Sequence, residues 1–520
     1  MNVNVYAGIL SLILILAMLC SFVGCHSSSG LNGDVSSGTT TAPSKTVTSH
    51  SVSATAPSKT ATSHRVSTTT VVGSSSSVKT TGTTSIGASS GTSQSKPTMI
   101  VEKYYIPTSV TLTLYGADSY GVTWNTEFEP YEPVVQVSKG NTFNENNYVE
   151  FKASHRSANC YFSSSVPTSY HISKAVMHDL EPGTAYTYRC YDKLIEVAGE
   201  SFTFVTRQKS VSSFTFVHVS DSQTKAAVST DPNGANTGMY YADTMRGIEK
   251  NGVNPAFILH TGDIVEWSRY ESYWSSMINT NAKCFAGIPV MAIAGNHEAS
   301  HRSGFQELFK HFHYDITPQD TTEGMYYAFD YGNAKFIMLD TNGLSDNQLS
   351  DDEYQWLENT LKNNKQKWTV VAMHNPMYSI GKYGSDSAWN AIALALREQL
   401  GDLFAQHGVD LVLQGHDHAY SRTYPIGMNG AVNRQPDYET INGINYCTNA
   451  NGVIYAMHGP SGDQSRSYSN SMDATYYEQY AASQASSWAE IEISEELLTV
   501  KGYCYNNGTP KLWTSYGIKK

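Results

Sequence analysis

Charge is scarce in this sequence of 520 residues: Asp, Glu, Lys and Arg make up 15%, and 46 acidic residues face 34 basic ones. Residues 1–98 hold five Lys/Arg and one acid, Asp34, so the acidic excess lies in residues 99–520. A nucleic-acid binder needs basic surface to displace counterions, so that class is excluded. Long apolar runs are also missing. Past residue 25 none approaches the ~20 residues of a membrane-crossing helix, which excludes a polytopic membrane protein. Cysteine is sparse and forms no CxxC motif: beyond Cys20 and Cys25 there are Cys160, Cys190, Cys284, Cys447 and Cys504. Cys160–Cys190 and Cys447–Cys504 could pair in an exported protein, and buried free thiols fit the sequence equally well. What is abundant is apolar and aromatic material, 40% and 12%, with 35 tyrosines. That supports large cores, and the length suits about three domains.

The N-terminus reads as an address. Residues 2–24 carry no charge, and residues 8–23 (GILSLILILAMLCSFV) are almost unbroken apolar sequence. This is a secretory pattern. Gly24 before Cys25, in FVGC, resembles a bacterial lipobox, in which Cys25 would be lipidated and leave a cell-surface lipoprotein. Phe22 and the lack of Lys or Arg in the n-region depart from that pattern, so an anchor helix or simple secretion stays open. In each case the body is extracellular. Residues 26–98 are mostly Ser, Thr, Gly and Ala, with TAPSKTVTSHSVS (41–53) repeated as TAPSKTATSHRVS (55–67). Such sequence cannot bury enough surface to offset its ordering entropy, so it reads as a flexible stalk. Its root-mean-square reach is roughly 45–50 Å.

Residues 99–206 carry short alternating runs at the intervals of a β-sandwich, among them SVTLTLYG, GVTWNTEF, TAYTYRCYD and ESFTFVTR. Trp124 and DLEPGTAYTYRC (179–190) resemble a fibronectin type III domain, with Leu180, Pro182 and Tyr186 forming its tyrosine corner. A packing and spacer role is favoured over a binding module. From residue 207 the pattern changes. FTFVHVSDSQ (214–223), PAFILHTGDIVE (255–266), PVMAIAGNHE (289–298), WTVVAMHNP (368–376) and VDLVLQGHDH (409–418) read as buried strands ending in polar clusters. Helical stretches at 352–363 and 388–408 separate some of them, which predicts an α/β domain over 207–520 built on a largely parallel sheet. Ligand sites in such sheets lie at the carboxyl ends of strands, so Asp221, Asp263, Asn296, His374, His416 and His418 are expected on one rim. His218 reads as a core residue, and His260 as core or as support for the site.

The order Asp-x-Gln, Gly-Asp, Gly-Asn-His-Glu, strand-terminal His and Gly-His-x-His resembles the calcineurin-like metallophosphoesterases. YYAFDYGNAKFIMLDTN (326–342), HAYSRTYP (418–425) and WAEIEISEELLTVKGYCYNNG (488–508) extend the likeness to their purple acid phosphatase branch. That branch also places a fibronectin-like domain before a domain of layered β-sheets flanked by helices, with βαβ motifs. The resemblance implies two metal ions, Fe, Zn or Mn. Asp221, Asp263 and His418 would hold the first, and Asp263, Asn296, His374 and His416 the second. Two carboxylates against two cations leave the site electropositive by roughly +2, which attracts phosphate despite the acidic body. The metals, ~3.5–4 Å apart, would clamp the phosphoryl oxygens and activate a water. His297 would protonate the leaving group, with Glu298 as its acidic neighbour.

Three positions depart from the family pattern. Glu266 stands where purple enzymes carry tyrosine, three residues after the bridging aspartate. Gln223 replaces the histidine of Asp-x-His and is assigned to the first metal through its amide oxygen. A histidine pair expected after His374 is absent, and Tyr383 and Gly384 stand nearby on the substrate side. The leading reading is an exported phosphomonoesterase acting on small phosphate esters. The alternatives are a phosphodiesterase or nucleotidase on the same site, or an inactive surface adhesion module. Because Glu266 replaces the chromophoric tyrosine, iron-loaded protein should show no tyrosinate-to-iron absorption in the visible range. A purple preparation would contradict the ligand assignment.

Overall fold

The computed structural model describes residues 103–160, 168–224, 238–299, 304–316, 325–342, 347–384 and 390–520. The address and stalk expected over 1–98 lie outside the described residues. Strands β1 (Thr108–Tyr115), β2 (Ser119–Thr126), β3 (Pro133–Lys139), β4 (Val149–Lys152), β5 (Ser154–Cys160), β6 (Thr168–Met177), β7 (Ala185–Asp192) and β8 (Val197–Val205) form a sandwich. Its two antiparallel sheets run β1-β2-β6-β5 and β4-β3-β7-β8. Trp124 on β2 is buried between them. The Tyr186 hydroxyl accepts a hydrogen bond from the Glu181 backbone N–H at 3.0 Å, pinning the chain where it enters β7.

The α/β region corrects the expectation of one largely parallel sheet. The five strand-like runs divide between two mixed sheets. The first contains β9 (Phe214–Val219), β10 (Ile258–His260) and β11 (Val290–Ala292), which pair in parallel. The second is built on β12 (Tyr327–Tyr331), β13 (Ala334–Met338), β14 (Trp368–Met373), β15 (Leu411–Gln414) and β16 (Tyr420–Thr423). The hairpin β17 (Tyr438–Ile441) and β18 (Ile444–Cys447) returns to the first sheet, while β19 (Ile454–His458) and β20 (Tyr477–Ala481) join the second. Strands β21 (Ser487–Ile493), β22 (Leu497–Asn506) and β23 (Thr509–Lys519) complete the first sheet, ordered β11-β10-β9-β21-β22-β23-β18-β17. The second is ordered β12-β13-β14-β15-β19-β16-β20. Antiparallel closure comes from the alternating C-terminal runs, since β21 lies beside β9 with Ala489 opposite His218.

Helices fill the crossovers: α1 (Gly238–Lys250), α2 (Glu271–Thr280), α3 (Ala282–Gly287), α4 (Asn296–Ala299), α5 (Gly304–His311), α6 (Asp351–Asn363) and α7 (Asn390–Gln406). The Ser350 hydroxyl caps α6 by accepting from Glu353 N–H at 3.2 Å, and three acidic residues occupy its first turn. No helix among the described residues is long and apolar enough to cross a membrane.

The sandwich and the α/β sheets share one core. Val110, Leu112, Leu114 and Tyr188 belong to the same buried cluster as Trp274, Phe285, Val290 and Phe312. Polar bonds cross the junction: Tyr188 donates to the Ala286 carbonyl at 2.8 Å, Lys174 to the Phe312 carbonyl at 2.8 Å, and Asn125 to Glu271 at 3.2 Å. His311, stacked on Trp274, lies 3.4 Å from the Glu271 carboxylate, and both are buried. Cys190, Cys284, Cys447 and Cys504 are buried free thiols, so neither considered disulfide forms. Tyr188→Phe leaves the buried Ala286 carbonyl without its donor and should cost about 1–3 kcal/mol. Circular dichroism and tryptophan fluorescence should then report one shared unfolding transition, shifted down. A sandwich melting separately would refute the common core.

Candidate metal centre

Strand ends deliver the candidate residues. Asp221 and Gln223 follow β9, Asp263 follows β10, Asn296 opens α4 after β11, His374 follows β14, and His416 and His418 follow β15. Five of these bend the backbone into the left-handed region: Asp221 (φ 51°), Gln223 (37°), Asp263 (54°), His416 (76°) and His418 (46°). Non-glycine residues avoid that region, and each such excursion costs roughly 1–3 kcal/mol unless the surroundings hold it. Their clustering marks a site held by the rest of the fold. Gly295 makes room for it, because a Cβ there would drive into the backbone N and carboxylate of Asp263.

Two overlapping groups result. Asp263, His374 and His416 bring ligand atoms within 4.8 Å of one another, and so do Asp221, Asp263 and His418. All five are buried, and Asp263 belongs to both groups. The Asn296 amide oxygen lies 3.1 Å from His374 Nε2, which places Asn296 in the first group. Gln223 Nε2 donates to Asp263 at 3.2 Å, and its Oε1 is buried without a hydrogen-bond partner. Such an orphan acceptor is what a cation would satisfy, so the residues present fit a pair of metal ions. Imidazole with carboxylate suits Zn, Fe or Mn better than Ca.

The surroundings commit each ligand. His374 Nδ1 donates to the Thr261 carbonyl at 2.7 Å and His418 Nδ1 to the Gln464 carbonyl at 2.6 Å, leaving both Nε2 atoms facing inward. The Asp221 carboxylate accepts from His416 N–H at 3.0 Å and from the Ser220 hydroxyl at 2.5 Å. Burial works against ionising Asp221, yet neighbouring His418 prevails and holds it at about 2. Asp263 is likewise buried, and His374 holds it well below the usual carboxylate range.

His297 sits at the mouth, partly exposed. Its Nδ1 donates to the Glu266 carbonyl at 2.7 Å, and its Nε2 lies 3.9 Å from Asp263. Burial disfavours the charged ring, but Asp263 and Glu266 outweigh it and raise the pKa. The Glu266 carboxylate is beside this ring, 4.0 Å from Nδ1, and accepts from Gln464 at 3.4 Å.

Glu298 supports the ligands and does not face substrate: it is fully buried and does not line the mouth beside His297. Its carboxylate accepts from Asp263 N–H and Gly295 N–H at 2.8 Å, Ile264 N–H at 3.0 Å and Val265 N–H at 3.2 Å. Glu298 therefore clamps the loop that carries Asp263. His218 is a core residue bonded to His458 and Thr261, and His260 supports Ser222 and Gly262. The Tyr383 side chain lies outside the described residues. Thr261 and Gln464 were missed in the sequence because they act through backbone carbonyls, which leave no residue-type signal.

With no metal bound, burial opposes a proton on His374, but Asp263 raises its pKa to about 9. His416 is pushed the other way, to about 3, by burial and by His374. A metal takes His374 Nε2 only once that proton leaves. Metal binding near neutral pH should therefore release the His374 proton in addition to the one lost from metal-activated water, and the His374 share should vanish as pH rises through about 9. Calorimetry in buffers of different ionisation heat measures it. Undiminished release above pH 9 would contradict the assignment.

Residues 107–233 match the family model described as Purple acid Phosphatase, N-terminal domain, and residues 214–420 match Calcineurin-like phosphoesterase. Purple acid phosphatase 23 of Arabidopsis thaliana is 27% identical over 274 residues, 49% of this chain and 58% of that protein. Acid phosphatase type 7 of Mus musculus is 26% identical over 313 residues, 56% of this chain and 64% of that protein. The chain thus spans less than two thirds of the length of either relative. In fold it is similar to the purple acid phosphatase PPD1 from yellow lupin (Lupinus luteus) seeds, with a TM-score of 0.66 at 20% identity over 80% of this chain and 74% of that one. The chain therefore carries a calcineurin-like phosphoesterase domain behind a purple acid phosphatase N-terminal domain.

Proposed function

We propose that the protein is an exported, metal-dependent phosphomonoesterase acting on small phosphate esters. The observation that carries this is the sharing of Asp263 between two buried groups of ligands, with His297 at their mouth. In this reading Asp221, Gln223, Asp263 and His418 hold one metal ion, and Asp263, Asn296, His374 and His416 the other. When bound, the pair supplies charge stabilisation of the phosphoryl group and activation of water. The chain's own residues do the rest. Thr261 and Gln464 fix the imidazole tautomers, Glu298 fixes the Asp263 loop, and the Glu266 carbonyl turns His297 Nε2 inward. With its pKa raised, His297 holds a proton at Nε2 and passes it to the departing alkoxide oxygen. Export rests on the apolar run 8–23 and on Cys25, through a lipid, an anchor or simple secretion, with residues 26–98 as a stalk.

A phosphate-release assay on full-length protein loaded with Mn, Fe or Zn tests the reading. Monoesters should be hydrolysed faster than diesters. Metal-loaded protein inactive on every ester would leave a binding module instead. Within an active enzyme, His297→Ala should slow an alkyl phosphate by roughly 10²–10⁴-fold, since a basic alkoxide needs a proton. A nitrophenyl phosphate should suffer much less, with metal content unchanged. Equal losses on both would reject the proton-donor role.

A further inference from the structure

The backbone that aims the His297 ring and the backbone that carries it are tied together at one buried residue. The Glu266 carbonyl aims the ring by accepting from Nδ1 at 2.7 Å. Two residues further on, the Ser268 hydroxyl donates to the carbonyl of Glu298, the residue after His297, at 3.1 Å. Ser268 is buried, which shields that bond from solvent.

Ser268 is itself held from behind. Its carbonyl accepts from Trp274 Nε1 at 2.8 Å, and Trp274 is fully buried. An indole N–H can only donate, and a buried donor left unpaired is costly, so the position of this ring fixes the Ser268 carbonyl. The ring has little freedom to move. It stacks on the His311 imidazole, with centroids 4.4 Å apart and planes 19° from parallel. His311 ends α5 and lies 3.4 Å from the carboxylate of Glu271, which opens the helix α2 that bears Trp274. The sandwich grips both partners: Asn125 on β2 donates to Glu271 at 3.2 Å, and the Thr111 hydroxyl on β1 donates to the His311 carbonyl. Near the other end of α2, the Asn279 side chain accepts from Ser109 N–H at 2.8 Å.

Buried contacts thus run without a break from the sandwich through Trp274 to the loop that aims His297. They reach the proton donor and bypass the ligands, because Asp263 is held by the Glu298 carboxylate and Ser268 by the Glu298 carbonyl. We infer that Ser268 and Trp274 are positioning residues for His297, and that the sandwich acts through them on the transfer of its proton. This rests on the phosphomonoesterase reading above. Proton transfer is steep in geometry, and a misplacement of about 1 Å can cost roughly 10²-fold. Only a leaving group that needs the proton feels that loss.

Ethyl phosphate and 4-nitrophenyl phosphate separate the two cases in full-length, metal-loaded protein. Trp274→Phe keeps a ring against His311 and removes the N–H, and Ser268→Ala removes the hydroxyl. Each should slow ethyl phosphate by roughly ten- to hundredfold through kcat, and 4-nitrophenyl phosphate by less than about twofold, with metal content at the wild-type level. Asn125→Ala should move the ratio of the two rates in the same direction by a smaller factor. The same substitutions are then made in a His297→Ala background. With the donor gone there is nothing left to position, so Trp274→Phe and Ser268→Ala should change neither rate further. Further losses in that background, or equal losses on both esters, would overturn the inference by showing that the two residues only support the fold. Loss of metal in both variants would overturn it too. An active wild type whose ratio neither variant moves removes this inference and leaves the phosphatase reading intact. If the metal-loaded wild type hydrolyses neither ester, that reading falls and takes this inference with it.

Discussion

One carboxylate serves two groups of ligands, and the architecture around Asp263 follows from that. A bridging residue has little positional freedom, because shifting it to suit one group spoils the other. The Asp263 backbone is accordingly held at φ 54° by the Glu298 carboxylate beneath it, and its side chain accepts from His297 N–H at 2.9 Å and from Gln223 at 3.2 Å. Burying Asp221 and Asp263 together without cations would be costly. In the metal-free protein the proton on His374 offsets part of that charge, so proton and metal compete for one place.

The two-sheet construction meets this demand from opposite directions. Parallel strands β9, β10 and β11 supply Asp221, Asp263 and Asn296 from one sheet, and β14 and β15 supply the histidines from the other. Each sheet brings its carboxyl edge to the junction, so residues almost 200 positions apart meet in one pocket. The sandwich contributes indirectly. Strand β1 packs beside β11, the strand leading to Asn296 and His297, and the shared core joins Leu112 to Val290. A domain that touches no ligand atom thus braces one wall of the centre.

Much of this was legible in the sequence, for a physical reason. Metal ligands must be particular residue types at strand ends, so Asp221, Asp263, Asn296, His374, His416 and His418 stood out, and the structure gathers them. The sandwich was readable from its alternating strands and from Tyr186. Helix α6 formed within one residue of the expected stretch, helped by the Ser350 cap. What escaped notice depends on backbone or on partners distant in sequence. An isolated run such as FTFVHV does not reveal whether its neighbour is parallel or antiparallel, so the split into two mixed sheets was hidden. Thr261 and Gln464 act through carbonyls that every residue possesses. Glu298 stayed open between supporting the ligands and facing substrate, because adjacency to His297 suggested a shared role. On a short helix, however, successive side chains point in different directions, and Glu298 turns inward toward four N–H donors.

Two of the departures from the family pattern are placed by the structure: Glu266 at the mouth, and Gln223 among the buried groups beside Asp263. A metal ligand must meet its ion within a few tenths of an ångström, so a change of residue type there has to keep a donor atom in reach, as the buried Oε1 of Gln223 does. Mouth residues meet a substrate whose shape varies, so they can change without dismantling the centre. Glu266 illustrates the difference. A tyrosine there would serve a metal, whereas the glutamate contacts Gln464 and lies beside His297, while its carbonyl fixes that ring. Through both its side chain and its carbonyl, Glu266 serves His297 and the rim. The rim segment 461–469 is in turn bonded through Gln464 and Arg466 to His418, so a change in rim side chains need not disturb the backbone that holds a ligand. The support of His418 is thereby carried by backbone atoms of Gln464 and Arg466, and their side chains take no part in it.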